Sequence, residues 1–109
     1  MRKSIYFLFG LSLFSFSSLA WDGATSGKIS KIDVAPASNY GFRVYLDGDK
    51  KLCGNANSWA YINGSDSNYN TFVSVLLSAK ASNATITIYA NQEKQSGEAY
   101  CQIGYISMS

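Results

Sequence analysis

Hydrophobic and polar residues alternate in short blocks along most of this chain, and each block predicts an element. Over residues 28–34, Ile29, Ile32 and Val34 stand among polar neighbours. This is a strand pattern whose alternation slips at Ser30-Lys31, where a bulge is expected. Pro36 and Ala37-Ser38-Asn39 break it. Phe42, Val44 and Leu46 then alternate with Arg43 and Tyr45 until Asp47-Gly48-Asp49 turns the chain, which gives a second strand. Trp59 to Ile62 reads as a short third strand, with Trp59 and Tyr61 on one face, Ala60 and Ile62 on the other, and Asn63-Gly64 ending it.

The period then changes. Tyr69, Phe72, Val73, Leu76 and Leu77 recur at three- and four-residue spacing, so residues 69–81 form the single predicted α-helix. Asp66, Ser67 or Asn68 is expected to cap its start through a side-chain oxygen, and Asn83 to end it in the left-handed conformation. Residues 85–89, Thr-Ile-Thr-Ile-Tyr, are β-branched and alternating, a fourth strand with Ile86 and Ile88 on one face. Residues 91–97 read as a polar hairpin connection, and residues 100–108 as a fifth strand. Gly104 is expected to mark a bulge there, because Ile103 and Ile106 cannot share a face by strict alternation.

The N-terminal pattern is of another kind. Arg2 and Lys3 precede an apolar run over residues 5–16, and small residues Ser18 and Ala20 follow at the positions a signal peptidase inspects. This predicts a cleavable export signal ending at Ala20, because a dozen apolar residues fall short of the ~20 that span a bilayer. The mature chain then opens at Trp21. Losing Arg2 and Lys3 from nine basic residues leaves seven against seven acidic ones, so the predicted mature protein carries no net charge. Only Lys50-Lys51 stand together, beside Asp47 and Asp49, so no basic footprint for nucleic acid or an anionic membrane remains.

A single domain over residues 21–109 has a small core and gains from a staple. Cys53 and Cys101, the only two cysteines, are expected to pair in an oxidising compartment. The order β-β-β-α-β-β, with one helix between the third and fourth strands, predicts a five-stranded Greek-key barrel of the OB type, mainly β, with the helix plugging one end.

With that order in place, the mature chain resembles the small secreted OB-fold proteins that include the pentameric B subunits of bacterial AB5 toxins, of the subtilase-cytotoxin and typhoid-toxin type. The likeness is carried by Trp21 at the start, the strand from Phe42 to Leu46, the helix over 69–81 followed directly by the strand over 85–89, and the terminal strand bearing Cys101. It implies a non-enzymatic, exported binding module for a glycan or glycoprotein, and a homo-oligomeric ring joined by edge strands. It assigns no site residue.

The residues themselves supply nine Tyr and Trp from Trp21 onward. Tyr45 and Tyr89 are out of phase with the core-facing positions of their strands, so they and the pair Trp59 and Tyr61 are the candidate binding residues. Asn55, Asn57, Asn63, Asp47 and Asp66 are candidate partners for sugar hydroxyls. The plainer reading is that tyrosine is common on strands because it pairs well across a sheet. The alternative function is a periplasmic protein-interaction module, such as an inhibitor or immunity protein, using the same aromatics as a hot spot. The chain has no histidine, no Gly-x-Ser-x-Gly elbow and no phosphate loop, so no catalytic residue, metal ligand or cofactor is expected. The Asp47-Gly48-Asp49 turn is followed by lysines rather than further oxygen ligands, which favours a solvated turn over a calcium loop. Asn63-Gly64-Ser65 and Asn83-Ala84-Thr85 fit the glycosylation sequon, relevant only in a eukaryotic host.

Overall fold

The computed structural model describes residues 21–95 and 98–109. The predicted signal segment lies outside the described residues. Five strands and one helix follow in the order β1 (Gly23–Val34), β2 (Phe42–Leu46), β3 (Trp59–Ile62), α1 (Tyr69–Ser82), β4 (Thr85–Gln95) and β5 (Glu98–Met108). They close a barrel in the order β1-β2-β3-β5-β4, with β3 and β5 parallel and every other pair antiparallel. This is the OB-like Greek-key barrel that the element order predicts. Its closure is achieved by β1, whose first half pairs with β4 and whose second half pairs with β2.

Two bulges make the pattern work. Ile29 pairs with Leu46 and Lys31 with Tyr45, so Ser30 is the extra residue where the alternation slips. On β5, Tyr105 pairs with Tyr89 and Ile103 with Ala90, which makes Gly104 the extra residue. The shift turns both Ile103 and Ile106 toward the core, and the Trp21 ring lies where a side chain on Gly104 would project.

Alternate residues of the strands fill the barrel: Phe42, Val44, Leu46, Ala60, Ile62, Ile86, Ile88 and Ala90 are all buried. Leu76 and Ala79 of α1 are buried against them, and Tyr69, Phe72 and Val73 pack at the rim. Leu77, expected on the packed side, is 49% exposed. At 100° per residue it stands beside the buried Leu76–Ala79 stripe rather than on it. Leu52 and the Cys53–Cys101 disulfide are fully buried, with Cα atoms 5.5 Å apart. Asn55 and Asn57 each donate through Nδ2 to the carbonyl of Ala99, at 2.7 and 2.8 Å, and hold the cysteine loop on β5.

Three expectations need correction. β1 begins at Gly23, five residues before the apolar alternation, because its small residues pair with β4. Residues 91–95 are not a connection but the end of β4, paired with 98–102 of β5. The helix start is not capped by a side chain: Asn68 sits at φ 64° with no capping hydrogen bond, while the carboxylate of Asp66 accepts from the backbone N–H of Asn63 at 2.8 Å. Asn83 does end the helix in the left-handed region, at φ 56°.

Candidate functional site

Alternation and register together assemble one row of side chains across the outside of the barrel. Lys31 pairs with Tyr45, Tyr45 with Trp59, and Tyr100 with Glu93. The parallel register of β3 on β5, Ala60 beside Cys101, sets Trp59 next to Tyr100, and their rings stand 4.8 Å apart. The row therefore reads Lys31, Tyr45, Trp59, Tyr100, Glu93: three aromatic residues between a cation and an anion. From Tyr45 to Tyr100 it crosses two interstrand spacings, about 10 Å.

A second layer locks this row. Tyr61 lies beside it on the same face of β3, between Arg43 and Gln102, and is 1% exposed with the Tyr40 ring edge-on at 4.7 Å. Tyr40 also meets Tyr100 edge-on at 4.9 Å and Trp59 at 6.4 Å. Such edge-to-face pairs are favourable at these separations. Tyr40 reaches this position from the β1–β2 connection at φ 52°, a left-handed conformation that is costly for a bulky side chain. Its backbone N–H donates to Asn63 Oδ1 at 2.7 Å, and its carbonyl accepts from Arg43 Nε at 2.8 Å. Arg43 Nη2 donates to the Asn39 carbonyl at 3.0 Å, and the guanidinium lies 5.1 Å from the Trp59 ring centre.

Electrostatics at the row follow from these contacts. Lys31 Nζ stands 4.2 Å above the Tyr45 ring and 3.5 Å from Asp33 Oδ2. Burial raises the Tyr45 hydroxyl above its usual pKa, and the hydrogen bond to Asp33 and its negative charge add to the shift. Burial pushes Tyr61 up to about 12, with the charge of Glu93 and the neighbouring Tyr40 and Asp66 acting in the same direction. Tyr61 is thus a neutral support for the row, not a titrating group at physiological pH.

The four sequence candidates divide between two places. Tyr45, Trp59 and Tyr61 come together, joined by Tyr40 and Tyr100. Tyr89 stands apart, its ring 5.0 Å from Tyr105 and 6.1 Å from Trp21. The proposed hydroxyl partners are mostly committed elsewhere. Asn55 and Asn57 bind the Ala99 carbonyl, Asn63 holds Tyr40, and Asp66 also accepts from Gln102 Nε2 at 3.2 Å. Asp47 is exposed in the β2 turn. The polar groups flanking the aromatic row are instead Lys31, Asp33 and Glu93. Sequence reasoning missed Tyr40 and Tyr100, since one sits in a connection and the other reaches Trp59 only through the parallel β3–β5 pairing.

Among the described residues no cluster of three or more His, Cys, Asp or Glu side chains stands ready to hold a metal ion, and no helix is long and apolar enough to cross a membrane. The chain matches no family model, no curated protein and no solved structure.

Proposed function

We propose that this chain is an exported, non-enzymatic binding domain that takes a glycan or glycoprotein on the outer face of β2, β3 and β5. The observation that carries the reading is the row of Tyr45, Trp59 and Tyr100 with Trp59 and Tyr100 rings 4.8 Å apart. Flat rings suit the apolar faces of sugar units, and charged groups at both ends of the row suit their hydroxyls. The location supports it too, because OB domains bind oligosaccharides and oligonucleotides on the face of the second and third strands and on the adjoining loops. Of these two ligand classes the charge favours the sugar: Lys31 and Arg43 are offset by Asp33 and Glu93, which leaves no track for a phosphate backbone.

Tyr40 adds a second support. A bulky residue held at φ 52° by Asn63 and Arg43 stores backbone strain of about 1–3 kcal/mol, a cost commonly found where a surface is shaped in advance for a ligand. Export is supported by the N-terminal signal pattern and by the buried Cys53–Cys101 bond. A broad glycan array probed with the exported protein tests the reading, with a Trp59→Ala protein as control. Hits that vanish in the control are expected. An array without hits, or hits that survive the substitution, would overturn it.

A further inference from the structure

The lower half of β5 presents an open sheet edge. Ser109 N–H donates to the Thr85 carbonyl at 3.0 Å, so in this antiparallel ladder Ser107 and Ser109 turn their main-chain groups toward β4. The alternate residues, Ile106 and Met108, turn theirs away from it. On that side β5 pairs with β3 only at Cys101 and Gln102, so among the described residues no strand lies beside the N–H and C=O groups of Ile106 and Met108. They face an open groove of about 540 Å³, whose other wall is Phe72, Val75 and Thr71 of α1.

Past the Gly104 bulge, residues 105–108 contain no charge and no proline, two of the usual devices that keep exposed strands from pairing. The second half of β1, by contrast, carries Lys31 and Asp33. Apolar side chains are also exposed beside the groove. Trp21 and Tyr105 are 38% and 55% exposed, and Met108 46%. If each ring offers about 200 Å², Trp21 and Tyr105 alone leave roughly 200 Å² in water, about a quarter of the ~800 Å² per partner that a stable interface takes. The groove walls and the strand itself add to it.

We propose that a second copy of this chain covers this face, with β5 pairing antiparallel to β5 across a two-fold axis near Ile106. An uncharged segment is complementary to itself, and a chain with seven basic and seven acidic residues from Trp21 onward does not repel its own copy. The pairing satisfies the free main-chain groups of both edges and buries Tyr105 and Met108. It is a closed pair rather than a ring, because each copy uses the same edge. It stands independently of the glycan reading, whose residues lie on another part of the barrel surface.

Light scattering on a sizing column, over roughly 1 to 100 µM, tests it at the affinities such interfaces reach. The exported protein is expected at twice the chain mass. Across the axis the two Tyr105 side chains become diagonal neighbours, about 7–8 Å apart. Tyr105→Lys is therefore expected to weaken pairing at least tenfold, and an equimolar mixture with Tyr105→Glu to restore the two-copy mass. Met108→Lys, at a position not packed on Trp21, should also give single copies and carries the test if Tyr105→Lys fails to fold. A single-copy mass for the unaltered protein, a five-copy ring, or a two-copy mass that withstands Met108→Lys would overturn the proposal.

Discussion

Replacing both Cys53 and Cys101 with alanine removes a covalent link across 48 residues of chain, more than half of the barrel. In the chain-entropy account, a loop of that size restricts the unfolded state by about 4 kcal/mol at 25 °C. Both sulfurs are fully buried, and alanine leaves only small voids in their place, so lost packing adds little. The loop retains its other ties, from Asn55 and Asn57 to the Ala99 carbonyl and from Gln92 Nε2 to the Cys53 carbonyl at 2.9 Å. The fold is therefore expected to survive, with its stability lowered by about 4 kcal/mol. For a domain of this size such a loss lowers the melting temperature by roughly 15–30 °C. Urea titration and thermal unfolding, each compared with the parent protein, measure it. A loss below about 1 kcal/mol would refute the argument that the closed loop is what this small core depends on.

Two further predictions concern the aromatic layers. Gly104→Ala puts a methyl group against the far end of the Trp21 ring, so it is expected to displace that partly exposed ring and shift tryptophan emission to the red at little cost in stability; unchanged emission would contradict the packing. Tyr61, raised to about 12, ionises in the unfolded chain near pH 10 but holds its proton when folded. The stability tied to its neutral form is present below pH 10 and falls by up to about 1.4 kcal/mol per pH unit between 10 and 12. Tyr61→Phe should lessen that alkaline slope, and an identical slope in both proteins would show that Tyr61 is not the group responsible.

Much of the barrel is written in local pattern. β2, β3, the helix body and both bulges follow from where alternation holds or fails, and the disulfide from two cysteines in a chain whose N-terminal pattern predicts export. What escaped has a common cause: it depends on residues distant in sequence. The run Gly23-Ala24-Thr25-Ser26-Gly27 has no apolar alternation, yet it is a strand because β4 lies beside it. Gly23 is needed there because the backbone of Leu52 and Cys53 occupies the space a side chain would take. Residues 91–95 are polar on both faces and gain strand structure only from pairing with β5. The helix start resists reading because Asp66 spends its carboxylate on Asn63 and Gln102 instead of the helix. In the site, alternation alone turns Tyr45 and Trp59 outward. Bringing Tyr100 to Trp59 takes a parallel pairing, and bringing in Tyr40 takes a strained loop, neither of which has a local signature.

Calorimetric titration of an array-selected oligosaccharide into the parent and Trp59→Ala proteins tests whether the aromatic row is the binding surface. Trp59 sits at the middle of the row, where a stacked residue of the hot-spot kind contributes about 2 kcal/mol or more. Saturable binding by the parent protein is expected, with affinity at least about thirtyfold weaker in a Trp59→Ala protein that is still folded at the titration temperature. Equal affinity in the two proteins would contradict it and place the binding surface elsewhere on the barrel.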